Sequence, residues 1–86
     1  MKNRQKVREY LHYLDGKSVT EILLEPRKSC LYYWKAQIHR EDDGRFRVNF
    51  FDKFGKPFRE NDRDGPLLFD DLDDAKIHVR RVLLNQ

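Results

Sequence analysis

Apolar and polar residues alternate with two different periods along this chain. Over residues 31–40, Tyr32, Trp34, Ala36 and Ile38 fall on one side of an extended strand. Tyr33, Lys35, Gln37 and His39 fall on the other, the period-two pattern of a half-buried strand. Residues 45–51 repeat it, with Phe46, Val48 and Phe50 opposed to Arg45, Arg47 and Asn49. Asp42-Asp43-Gly44 lies between the two segments and is a hairpin signal, because glycine accepts positive φ. Residues 19–24, Val-Thr-Glu-Ile-Leu-Leu, predict a further short strand ended by Pro26, which cannot donate to a ladder. After the turn at residues 52–57, Phe58-Arg59-Glu60 offers a return strand, and residues 67–69 a short edge strand.

Two segments have the longer period. Val7, Tyr10, Leu11 and Leu14 stand at i, i+3, i+4 and i+7, which predicts a helix over residues 3–14. Gly16 suits the left-handed position that ends a helix. Leu72, Ala75, Val79, Val82 and Leu83 make a second stripe, for a helix over residues 70–84 with Asp70 or Asp71 as its cap. Asp70, Asp71, Asp73 and Asp74 suit the positive end of its dipole, and Arg80 and Arg81 the other end. The expected fold is α+β, a single domain over residues 1–86. A three- or four-stranded antiparallel sheet within residues 19–69 packs Trp34, Ala36, Ile38, Phe46, Val48 and Phe50 on the C-terminal helix, with an additional N-terminal helix as a second cover.

Composition narrows the function classes. The 86 residues are 38% apolar and 38% charged, yet 13% aromatic, which argues against a disordered chain. A domain this small has little apolar material to line a deep substrate pocket. Cys30 is the single cysteine, so no internal disulfide forms, and a cytoplasmic location is expected. Neither a signal peptide nor a membrane span is expected. His12, His39 and His78 lie too far apart for metal-ligand spacing, Cys30 lacks a nucleophile motif, and no glycine loop cradles a phosphate. The reading is a non-catalytic protein with no metal and no cofactor.

The net charge of +3 is uneven: residues 1–40 hold nine Lys/Arg against four Asp/Glu, and residues 41–86 hold nine against eleven. The face of the sheet turned away from the helix carries Tyr33, Lys35, Gln37, His39, Arg45, Arg47 and Asn49, with Arg40 close by and no acidic residue among them. Arginine reads guanine, asparagine and glutamine read adenine, and lysine neutralises phosphate, so this set suits DNA. A plainly solvated face is the other reading, since antiparallel sheets commonly turn polar residues to water. Lys2, Arg4, Lys6 and Arg8 could form a phosphate-contacting arm or simply a solvated helix start.

The run Asp43-Gly44-Arg45-Phe46-Arg47-Val48-Asn49-Phe50-Phe51-Asp52-Lys53-Phe54-Gly55-Lys56-Pro57 resembles the second strand and turn of AP2-type DNA-binding domains. Their prokaryotic relatives include the amino-terminal arm-binding domains of conjugative-transposon tyrosine integrases. Leu67-Leu68-Phe69-Asp70-Asp71-Leu72-Asp73-Asp74-Ala75 is similar to the strand-to-helix junction of those domains. The resemblance spans about residues 31–84. It implies three strands and a helix that read double-stranded DNA in the major groove through Lys35, Gln37, Arg45, Arg47 and Asn49, in a regulator or accessory factor of a mobile element. The acidic helix start, the acid-rich Asn61–Pro66 loop and the N-terminal segment depart from the pattern.

A second functional class stays open, that of a small phage or plasmid inhibitor of a host protein. Asp62, Asp64, Asp70, Asp71, Asp73 and Asp74 would face a basic partner surface. Ile22-Leu23-Leu24, read as an exposed edge strand, could pair with a partner or a second copy.

Overall fold

A computed structural model describes residues 6–25, 33–58 and 67–86. Among these residues six strands and one helix follow in order: β1 (Lys6–Leu14), β2 (Lys17–Glu25), β3 (Tyr33–Arg40), β4 (Phe46–Asp52), β5 (Pro57–Phe58), β6 (Leu67–Phe69) and α1 (Leu72–Leu84). The sheet is antiparallel in the order β1-β2-β3-β4-β5, and β6 also pairs with β4. β5 pairs with Phe50 and Phe51, and β6 with Phe46, Arg47 and Val48. The two short strands thus share one position beside β4, and the sheet is five positions wide.

The first segment corrects the sequence reading, because residues 6–14 are a strand and no N-terminal helix is present among the described residues. The cause is Asp15-Gly16. Both residues have positive φ, 53° and 78°, as a type I′ two-residue hairpin requires. That turn sets Leu14 opposite Lys17 and carries nine residue pairs, down to Lys6 opposite Glu25. A helix of twelve residues is marginal without a packed face, and the ladder satisfies the same backbone groups. Ile22-Leu23-Leu24 is consequently interior, paired with β1 on one side, while Ile22 and Leu23 also pair with Ala36 and Lys35 of β3. Among the described residues β1 is one edge of the sheet, and the β5/β6 position is the other.

The expected central hairpin is present. β3 and β4 pair through Ala36 with Phe50, Ile38 with Val48 and Arg40 with Phe46. Its loop and the next follow one plan. Gly44 N–H donates to Glu41 O at 3.0 Å and Gly55 N–H to Asp52 O at 2.9 Å, with both glycines at positive φ.

Helix α1 begins where the sequence places its cap. Asp71 is extended, and its carboxylate accepts from the Asp73 N–H. Ala75, Val79 and Leu83 are fully buried against Ile22, Leu24, Ala36, Ile38, Val48 and Phe50. Gln86 ties the helix end to β3, accepting from the Tyr33 N–H and donating to the Tyr33 and Leu83 carbonyls.

One ion-pair cluster joins β1 to the helix. Glu9 accepts from Lys76 at 2.9 Å and from Arg80 at 2.8 Å. The Lys76 hydrogen bond, helped by both positive charges and opposed by partial burial, holds the Glu9 carboxyl below its ordinary 4.5. A depressed carboxyl pKa stabilises the fold above the unfolded value, and that contribution is lost as pH falls through the folded value. Glu9→Gln is therefore expected to cost no more than about 1 kcal/mol at neutral pH, given the exposure of the cluster. The gap between variant and parent should close below about pH 4.5, as read by urea denaturation across pH. A gap that persisted unchanged at pH 3 would deny the ion pairs this role.

Candidate nucleic-acid interface

Strand register assigns every side chain to one of two faces. Toward the helix point Val7, Glu9, Leu11 and Tyr13 of β1, and Ser18, Thr20, Ile22 and Leu24 of β2. Ala36 and Ile38 of β3 and Phe46, Val48 and Phe50 of β4 complete that side. The opposite face is free of any described helix. It presents Lys6, Arg8, Tyr10, His12 and Leu14 from β1, and Lys17, Val19, Glu21, Leu23 and Glu25 from β2. Lys35, Gln37 and His39 follow from β3, and Arg47, Asn49 and Phe51 from β4.

The expected site is therefore partly assembled. Lys35, Gln37, His39, Arg47 and Asn49 share the open face, as their alternation requires. Tyr33 does not. It is 8% exposed, belongs to the core, and its ring centroid lies 5.2 Å from that of Phe50. A bulge between Tyr33 and Lys35 shifts the register. The extra residue flips the parity of everything before it, so Tyr33 turns inward. Trp34, expected in the core, instead lies half-buried beside the open-face Lys35. Arg45 precedes β4, and its guanidinium pairs with Asp43 in the turn at 2.8 Å. Arg40 has the helix-side parity and lines a hollow of about 410 Å³ with Tyr13, Ser18 and Asp42.

Lys35 and Glu21 form the centre of the open face. The Lys35 ammonium lies 4.9 Å from the Trp34 ring and 4.8 Å from the Phe51 ring, its cross-strand partner, in cation–π geometry. It is also 3.6 Å from Glu21 Oε2. Glu21 accepts from Gln37 Nε2 at 3.0 Å and lies 3.5 Å from His12 Nε2. Burial pushes the Glu21 carboxyl up, but the Gln37 hydrogen bond and the charges of Lys35 and His12 outweigh it and leave the pKa below 4.5. His39 sits 3.2 Å from Gln37 Oε1. Burial, then the charge of Arg47, push its pKa below the ordinary 6.5, so its neutral form is favoured.

The remaining cations lie around this centre. Arg8 pairs with Glu25, and Lys17 with Asp42 at 3.0 Å. Arg47 Nε is buried, 3.4 Å from Glu41 Oε1, and makes no hydrogen bond within the described residues. Sequence reasoning left out the whole contribution of β1 and β2, including the central carboxylate Glu21. The missed signal was Asp15-Gly16 read as a hairpin instead of a helix stop.

The alternative acidic surface is described in part. Asp62 and Asp64 lie outside the described residues. Asp70, Asp71, Asp73 and Asp74 are exposed at the helix start, where Asp71 caps and Asp73 and Asp74 occupy the first turn. Cys30 also lies outside the described residues, and no group of three or more His, Cys, Asp or Glu among the described residues could hold a metal ion. No described helix is long and apolar enough to cross a membrane. No family model matches the chain, and neither a curated protein nor a solved structure is found to match it.

Proposed function

We propose that the protein is a non-catalytic DNA-binding protein that engages double-stranded DNA with the open face of its sheet. The carrying observation is the segregation of charge between faces. Open-face strand positions hold Lys6, Arg8, Lys17, Lys35 and Arg47 against Glu21 and Glu25. Helix-side strand positions hold Arg40 against Glu9 and Asp52. Phosphate recognition requires such a one-sided excess.

Geometry decides which strands enter the groove. Five strand positions span about 19 Å, too wide for a major groove of about 12 Å. Three span about 10 Å and fit. β3, β4 and the β5/β6 position are the three that carry Lys35, Gln37, Arg47 and Asn49. β1 and β2 then lie along the backbone, with Lys6 and Arg8 toward phosphates. The exposed pairs Arg8–Glu25 and Lys17–Asp42 do not forbid such contacts, since solvent-exposed pairs contribute about 0–1 kcal/mol and phosphates can take over their cations. The Arg47 side chain as a whole is 34% exposed beside Glu41, so its guanidinium can reach a phosphate from this face. A regulatory or accessory role fits a reader of this size without a catalytic centre, as the likeness to arm-binding domains implies.

Fluorescence anisotropy with a labelled random-sequence duplex tests the proposal. Binding with a Kd of about 1–100 μM at moderate salt is expected for the sequence-independent component. Absence of binding at 50 mM salt would refute it.

A further inference from the structure

We infer that β1 is a self-association edge, and that two copies of the protein pair there to continue one sheet across a two-fold axis. Four of the seven exposed large apolar side chains among the described residues lie on this strand: Tyr10, Leu11, Tyr13 and Leu14. β1 is also nine residues long, and no described strand pairs with its outer side. Long exposed apolar edges are templates for another strand.

The sequence of β1 selects both the occupant and the register. A two-residue hairpin closes on a hydrogen-bonded pair, here Leu14 with Lys17, and such pairs alternate along the ladder. The N–H and C=O groups of Val7, Glu9, Leu11 and Tyr13 therefore point outward. Antiparallel pairing of two identical edges keeps the helices on one side only when each residue meets one of its own parity. Centring the pair on Arg8 or Glu9 sets identical charges against each other. Centring on Leu11 leaves seven residue pairs, and on His12 five. Centring on Tyr10, the midpoint of the strand, retains all nine.

In that register Val7 meets Tyr13 and Glu9 meets Leu11 on the helix side. Arg8 meets His12, Lys6 meets Leu14, and Tyr10 meets Tyr10 on the open face. No acidic side chain faces another. Glu9, already neutralised by Lys76 and Arg80 of its own chain, lies beside Leu11 at little electrostatic cost. The outward groups supply about eight interchain hydrogen bonds. An edge about 30 Å long buries on the order of 1,000 Å² in total, at the lower end for a specific interface, so the dimer is concentration-dependent.

The test is site-directed crosslinking with a hydrodynamic control. At a non-hydrogen-bonded pair the Cα atoms stand about 4.5 Å apart, within disulfide range. In a Cys30→Ser background, Tyr10→Cys is expected to give a disulfide dimer under mild oxidation, while Arg8→Cys and His12→Cys alone give several-fold less. Sedimentation of the unmodified protein should show a monomer–dimer equilibrium at micromolar to submillimolar concentration. Leu11→Lys with Tyr13→Lys, both at exposed positions, should shift it to monomer by at least about tenfold. A protein that remains monomeric at several hundred micromolar, or cysteines that crosslink equally at all three positions, would overturn the inference. These readouts contain no DNA and stand or fall apart from the DNA reading.

Discussion

Phe50→Ala is expected to destabilise the protein by about 3–5 kcal/mol, read as a fall in the urea midpoint. Phe50 is 1% exposed and sits at the middle of β4, opposite Ala36. Its ring packs between Tyr33 at 5.2 Å and His78 at 6.1 Å, beneath the helix. Alanine at position 36 leaves space that Phe50 fills, so truncation opens a cavity that no neighbour on that strand can close. A domain of this size has a total stability of roughly 4–13 kcal/mol. The loss is a large fraction of that total, so the melting temperature should fall well below the parent's. A loss under 1 kcal/mol would mean that the helix does not rest on Phe50.

Lys35→Gln combined with Arg47→Gln is expected to weaken duplex binding about 30-fold or more, without a comparable change in melting temperature. Glutamine keeps about half of the lysine stem, so packing over Trp34 and Phe51 is partly retained while both charges go. The paired control is Lys76→Gln with Arg80→Gln, which removes the same charge from the helix side, where the two residues hold Glu9. If a whole-protein field drives binding, the two double variants will lose affinity equally. If the open face is the contact surface, the control will lose at most a few-fold.

Local chemistry made the central hairpin, the helix and most of the core legible. Asp71 caps as expected, and Ala75, Val79 and Leu83 face the sheet as their spacing requires. Two errors have distinct physical causes. Val7, Tyr10, Leu11 and Leu14 fit a helical stripe, but β1 is exposed along most of its length and has no buried face to impose a period of two. Its pairing is decided by a turn and a partner strand, both invisible to a periodicity count. The second error is the bulge at Trp34, which exchanges Tyr33 and Trp34 between core and open face. One inserted residue reverses parity without leaving a mark in composition. The open face was accordingly right for Lys35, Gln37, His39, Arg47 and Asn49 and wrong for Tyr33, while Arg45 falls in the turn with Asp43. Glu21, the carboxylate at its centre, comes from a strand whose position depended on the first error.

The salt dependence of duplex binding tests the central claim most directly. With three to five phosphates neutralised by the open face, log Kobs should fall against log[salt] with a slope of about −3 to −4.5. The slope should become shallower by nearly two units in the Lys35→Gln/Arg47→Gln variant. A slope near zero, or one unchanged when both residues are neutralised, would contradict the assignment of this face to DNA.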